Sequence, residues 1–307
     1  MLTRIPKTDI RKGMFVEAVE CSEAVFGKRR FVLGSDRDFD AILQSPAEFV
    51  LINTTYGAGR KGAAVDAARQ PGKQLTAKEA RAEARATVAR SVKVLKSELI
   101  GMVTGGDFDM ARLAPVVEDI APADNSASSL LFEVTRLKHK DETTFQHSLS
   151  VAMLMGRLGD ALDLGRETVE LLVLSGLLHD IGKLTISNDI LQKQGPMTAA
   201  ERRLIQTHPR RGHRILKQHG SMPAEVLEIC LHHHEALDGS GYPSRKSGSE
   251  IGLLVRISTV CDVFDALTSV RPYKRGWSSS DAINWMFERD HQFDRKLVLR
   301  LGASIDA

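Results

Sequence analysis

With 307 residues, 42% of them hydrophobic and 26% charged, the chain has an ordinary globular composition and the length of two folding units, which excludes a disordered, collagenous or disulfide-stapled molecule. Its 42 Lys and Arg against 39 Asp and Glu leave a formal charge of only +3, too weak a global field to point to a nucleic-acid polymer or a membrane, so any phosphate recognition must be local. The 3 cysteines, Cys21, Cys230 and Cys261, are widely spaced with no CxxC pair, the start MLTRIPKTDIRKGMF has no apolar leader, and the longest apolar stretch, 169–178, is broken by Glu170 and Ser175, so a cytoplasmic protein is expected.

In chain order, residues 1–60 carry short β-prone runs, Met14-Phe15-Val16 and Phe49-Val50-Leu51-Ile52, separated by turn residues such as Gly34-Ser35, and predict a small β-rich module. Residues 57–74, rich in Gly, Ala and basic side chains without an apolar period, read as a linker. From Thr76 to about Met102, Val88, Val92, Leu95 and Leu99 recur at helical spacing; this is read as a connector helix and a candidate homodimer contact. A Pro/Asp/Asn-rich break at 121–125 follows.

The remaining chain is a succession of helical patterns. Thr198-Ala-Ala-Glu201 is a capping box, Pro223 suits a first helical turn, and Gly159 and Gly220 suit helix ends. Two loops, 183–196 and 237–249, are long for a compact helical domain and on that ground candidates for function. The predicted fold is mainly α: a β-rich module over 1–60, a linker and connector helix over 61–128, and an all-α domain over 129–307.

Most of the histidines fall in this helical part, with acids at the ends of apolar runs. His179 and Asp180 close the run beginning at Glu170, and a carboxylate that follows a buried helix needs a cation or another partner, because desolvating an unpaired charge is very costly. His147 opens another apolar run, and His208 precedes Pro209 at a junction between helices. Val226, Ile229 and Cys230 define the inward face of the helix ending in His232-His233-His234-Glu235; at about 100° per residue His233 lies mid-face, His234 at one edge and His232 furthest off. Asp262 and Asp265 interrupt the run 253–267, and one of them is expected to face inward. Imidazoles with one or two carboxylates suit first-row transition metals, and more than four such groups suit more than one ion; phosphate-ester hydrolysis is the natural chemistry, with an oxygen-activating di-iron site and a storage site as alternatives.

The segments HSLSVA (147–152), LLHDIGK (177–183), HPRRGHRIL (208–216), HHEALDGSGYP (233–243) and DVFDALTSVRPYK (262–274), taken in order, resemble the HD-GYP family, a branch of the HD phosphohydrolases that cleaves cyclic di-GMP. The N-terminal stretch from IRKGMFVEAVE to VLINT resembles a small domain of unknown function that often precedes HD-GYP domains. The resemblance implies two divalent transition-metal ions, iron or manganese, held by His147, His179, Asp180 and Asp262 on one side and by His208, His233 and His234 on the other, with Asp180 bridging. It implies that Lys183 contacts the scissile phosphate, that Arg271 and Lys274 hold the other phosphate, and that Tyr242 shapes the loop beside the ligand. Asp265 and Glu235 would orient ligands and cap the loop. Some family members carry a glutamate four residues before the first histidine for a third ion; here that position is Thr143, which favours two ions, and Glu142 would point elsewhere on a helix. The implied substrate is cyclic di-GMP, opened to pGpG and in a second round to GMP. A diguanylate cyclase carrying a GGDEF domain is the implied protein partner, and the alternatives are a non-catalytic signalling module and a phosphohydrolase of another nucleotide.

Overall fold

The computed structural model describes residues 2–11, 14–20, 31–33, 36–53, 76–106, 108–120, 126–135, 143–220, 222–270 and 276–305. The contacts divide the chain into two compact units, Met1–Gln74 and Leu75–Ala307. The linker read over 57–74, the Gly34-Ser35 turn and the break at 121–125 lie outside the described residues, as does Glu142.

In the first unit, β1 (Leu2–Pro6), β2 (Phe15–Val19), β3 (Phe31–Val32) and β4 (Phe49–Asn53) form an antiparallel sheet in the order β1-β4-β2-β3, with α1 (Asp36–Gln44) between β3 and β4 in sequence. Alternate residues point one way: Ile5, Val16, Val50 and Ile52 are buried with Ile42 of α1, the period-two signature of a sheet covered on one face.

The second unit is helical. Its first helix, α2 (Ala77–Val103), starts at a full capping box between Thr76 and Glu79. Val88, Val92, Leu95 and Leu99 are all buried, in the same core as α4 (Ser126–Thr135) and α5 (Thr143–Ala161). The apolar stripe read as a connector and dimer contact is therefore covered by the chain's own helices. Beyond it come α3 (Ala114–Ile120), α6 (Arg166–Leu178), α7 (Asn188–Leu191), α8 (Ala199–Ile205), α9 (His208–Gln218), α10 (Ala224–His232), α11 (Leu253–Thr268), α12 (Ser279–Phe287) and α13 (Arg295–Ile305). The Thr198–Glu201 capping box forms as read, and Gly220 adopts a positive φ just past α9. Pro223 is the residue before α10 rather than inside its first turn, and Gly159 sits inside the last turn of α5 because Leu172 and Val169 of α6 press against it. Among the described residues no helix is long and apolar enough to cross a membrane.

Two close approaches set the site's frame. A Cβ on Gly176 would lie 2.7 Å from the backbone nitrogen of Ala152, so α5 and α6 cross almost backbone to backbone, aligning His147 of one with His179 just past the other. Gly182, in the 3-10 turn Ile181–Thr185 that follows Asp180, meets α9 in the same way: its Cβ would fall 2.6 Å from the Gly212 nitrogen and into the carbonyl of His208. Neither neighbour is a flexible side chain that can swing aside. Gly182→Ala is accordingly expected to destabilise the chain by about 2 kcal/mol or more, lowering the midpoint of thermal unfolding by roughly 4–8 °C. A melting curve that coincides with the wild type would show that the two segments can part at no cost.

Candidate metal centre

Five stretches of chain converge within the helical unit. His147 opens the second turn of α5, His179 and Asp180 follow α6, His208 opens α9, His233 and His234 follow α10, and Asp262 and Asp265 are on α11. Ligand-type atoms of Asp180, His208, His233 and His234 lie within 4.8 Å of one another, and those of His147, His179 and Asp262 form a second such group. Asp180, 1% exposed, stands between them. Its Oδ2 is 3.5 Å from Nε2 of both His147 and His179, while its Oδ1 is 3.2 Å from Nε2 of His208 and 3.7 Å from Nε2 of His233. Asp262 spans the groups as well, with Oδ1 2.9 Å from His147 Nε2 and Oδ2 3.6 Å from His234 Nδ1. All seven residues read as ligands are thus brought together.

The orientation of the imidazoles follows from the backbone. His179 Nδ1 lies 2.8 Å from the Gly176 carbonyl, His208 Nδ1 2.7 Å from that of Ile205, and His233 Nδ1 3.0 Å from that of Cys230. A carbonyl can only accept, so each Nδ1 carries the proton and donates it, leaving Nε2 as an inward-facing lone pair. Each of these carbonyls is three residues earlier, in the last turn of α6, α8 or α10, where helix carbonyls have no intrahelical partner. His147 is held differently: its Nδ1 donates to Asp265 Oδ2 at 2.6 Å, and Ser150 Oγ, one turn on, donates to Asp265 Oδ1 at 2.5 Å.

This leaves an electron-rich interior. Nε2 of His208 and of His233 face each other at 3.1 Å, and His179 Nε2 and Asp180 Oδ1 are buried without a well-aligned hydrogen-bond partner. Opposed lone pairs and a desolvated carboxylate are unfavourable until a cation lies among them, so the residues present fit divalent transition metals, for which neutral imidazole and carboxylate are ligands. Titration agrees. Burial pushes His179 down to about 4 and lowers His208 and His234 too, the last well below the usual imidazole range. Burial alone would raise Asp180, but the Lys183 ammonium, His179 and the contacts of His208 and His233 hold it well below the usual carboxylate range. Burial likewise opposes the charge of Asp262, and His147 with the other histidines keeps it well below that range. These directions keep His179, His208 and His234 neutral and Asp180 and Asp262 ionised at neutral pH, the state that metal binding requires.

Around the cluster, Lys183 Nζ donates to Asp180 Oδ2 at 2.6 Å. Tyr242 stacks on His234, centroids 4.7 Å apart at 27°, and burial raises its phenol pKa. Its loop is pinned: Tyr242 N donates to the His234 carbonyl (3.1 Å), and the buried Glu235 carboxylate accepts from Ser244 N (2.7 Å) and Lys246 N (3.1 Å). His232, as expected, is off the cluster, 3.5 Å from Glu235. Arg271 and Lys274 lie outside the described residues, and Thr143 is described only as the first residue of α5. The expectation that one of Asp262 and Asp265 faces inward is corrected: both are buried, because α11 is covered nearly all round. Two residues had no role in the sequence reading. Ser150 could have been found from its three-residue spacing to His147; Arg210, which donates to the Pro243 carbonyl at 3.0 Å, could not, because its partner is backbone.

An HD domain family model matches residues 129–297, and a model described as a domain of unknown function, DUF3391, matches 2–139. A cyclic di-GMP phosphodiesterase of Pseudomonas aeruginosa is 37% identical over 96% of this chain and 74% of its own length. A 3′3′-cGAMP-specific phosphodiesterase of Vibrio cholerae is 42% identical over 48% of this chain and 34% of its own length. Among solved structures, an HDGYP protein from Bdellovibrio bacteriovorus aligns over 100% of both chains with a TM-score of 0.59 at 13% identity, a likeness of fold. The chain belongs to the HD domain family, and the Gly241-Tyr242-Pro243 loop packed on its histidine cluster puts it in the HD-GYP branch.

Proposed function

We propose that the chain is a cyclic dinucleotide phosphodiesterase that hydrolyses cyclic di-GMP to pGpG. The observation that carries this reading is Asp180, a buried carboxylate that turns one oxygen to each of two imidazole groups. The names of the relatives, which act on cyclic di-GMP or on 3′3′-cGAMP, support the substrate class.

Asp180, His147, His179 and Asp262 would hold one divalent ion, and Asp180, His208, His233 and His234 the other, with iron or manganese suited to such a nitrogen-rich set. When bound, such ions lower the pKa of water toward neutrality and withdraw charge from phosphoryl oxygens. The protein's own residues do the rest. Lys183, 22% exposed at its side chain and already against Asp180, would turn its ammonium to a non-bridging oxygen of the scissile phosphate. Asp265 keeps the His147 proton on Nδ1, and the three helix-end carbonyls do the same for His179, His208 and His233, so these four lone pairs are presented in one orientation before substrate arrives. Tyr242 walls one side of the cluster against water, and Arg271 and Lys274 would neutralise the second phosphate.

Metal-loaded protein should convert cyclic di-GMP to pGpG faster than it converts 3′3′-cGAMP or nucleoside phosphates, as read by product chromatography; a preference for nucleoside phosphates would reject the assignment. Asp180→Ala should lower bound metal by at least one equivalent in elemental analysis and reduce turnover about a thousandfold or more, since both halves of the site lose a ligand. Wild-type turnover in that variant would exclude the bridging role. Lys183→Ala should keep its metal while turnover falls about a hundredfold, in the range for loss of one positioned charge; loss of metal too would make Lys183 a structural partner of Asp180.

A further inference from the structure

Two arginines follow His208 on α9, and they are tied to different walls of the site. Arg211 Nη1 donates to the carbonyl and to Oγ1 of Thr185, both at 3.1 Å, closing the turn that carries Lys183. Arg210 Nη2 donates to the carbonyl of Pro243, 3.0 Å away, in the loop that carries Tyr242. That carbonyl is a fixed anchor. The residue before it, Tyr242, is stacked on His234 and bonded to its carbonyl, and the residue after it, Ser244, is bonded to the buried carboxylate of Glu235. Among the described residues Arg210 makes no other hydrogen bond or ion pair, and it is exposed. One Nη2 N–H is spent on that carbonyl, so among the described residues the second Nη2 N–H remains, with Nη1 or Nε, as a parallel pair of donors on an exposed guanidinium whose position is set beside the Tyr242-Pro243 segment.

With the scissile phosphate taken up at Asp180 and Lys183 in the interior, a base is one of the groups a cyclic dinucleotide can present to a guanidinium beside Tyr242 and Pro243. The planar fork of arginine matches the Hoogsteen edge of guanine, where O6 and N7 both accept; adenine offers an acceptor at N7 but a donor at N6. We propose that Arg210 is a specificity-determining residue that reads this edge of a guanine in the substrate, an inference that rests on the phosphodiesterase reading above. A lysine keeps the charge and loses the fork.

The test uses full-length, metal-loaded protein carrying Arg210→Ala or Arg210→Lys, with three probes: cyclic di-GMP, cyclic di-AMP and the base-free diester bis(p-nitrophenyl) phosphate. For Arg210→Ala, kcat/KM on cyclic di-GMP should fall about tenfold to a hundredfold, mostly through KM, with Arg210→Lys recovering only part of it. Hydrolysis of the base-free diester and the calorimetric affinity for cyclic di-AMP should stay within about twofold of the wild type. An equal loss on all three probes would make Arg210 a phosphate contact or a loop tether and overturn the proposal, as would an unchanged kcat/KM on cyclic di-GMP. A wild-type protein that cleaves the base-free diester yet neither binds nor cleaves cyclic di-GMP would overturn the parent reading instead, and this inference with it.

Discussion

The centre depends on helix ends. Three of the histidines sit where the last carbonyls of α6, α8 and α10 have lost their intrahelical partners, and each imidazole Nδ1–H satisfies one of those carbonyls. One contact does two jobs. It completes the hydrogen bonding of a buried helix end, and it fixes the tautomer so that Nε2 points inward as a lone pair. Because the carboxyl-terminal ends of these helices also carry the negative pole of the peptide dipoles, the converging ends favour a cation before any side-chain charge is counted. Asp180 adds a formal negative charge at the point where they meet, and Lys183 is the one ammonium bonded to it among the described residues.

Those geometric demands explain why so much of the centre was legible. A histidine at the end of an apolar helical run is a recognisable pattern, and helical phase alone separated His233 and His234 from His232, which turns to Glu235 instead. Phase failed on α11. A helix buried on almost every side has no polar face to mark by contrast, so Asp262 and Asp265 could not be distinguished as inward and outward, and both proved inward. Phase also misjudged α2, whose stripe is easily read but whose partner is not: periodicity says that Val88, Val92, Leu95 and Leu99 need cover, and tertiary structure decides that α4 and α5 of the same chain provide it. The features that stayed invisible involve backbone. Nothing in the residue pattern announces that Gly182 rests on the carbonyl of His208, or that Pro243 offers its oxygen to Arg210.

The loop that gives the branch its signature is built on the same economy of backbone partners. Gly241 has no Cβ because one would fall 2.5 Å from the His234 carbonyl oxygen and the Glu235 Cα, so the loop folds directly over the end of α10. Glu235 then caps its far side through two backbone N–H groups, at no more than 1% exposure. The three consecutive residues that follow α10 thus supply two imidazoles of the cluster and the anchor of the wall beside it. A wall fixed in advance has little conformational freedom left to lose when a ligand binds, which favours affinity and a defined orientation over adaptability.

Charge balance ties recognition to the centre. The ionised carboxylates of Asp180 and Asp262 are buried there with the neutral imidazoles of His179, His208 and His234 and one neighbouring ammonium, so these residues by themselves present a negative field to a phosphodiester. A dianionic substrate approaching such a field is repelled, whatever the weak positive charge of the whole chain, since screening confines that global term to about 8–10 Å while the buried carboxylates act at contact. Two divalent ions would reverse the sign locally by four charges. On this arithmetic the tightly held carboxylates, which look like an obstacle to phosphate binding, would make binding conditional on a loaded centre, and Arg210, in the role proposed for it, would tune which dinucleotide is accepted rather than whether an anion enters.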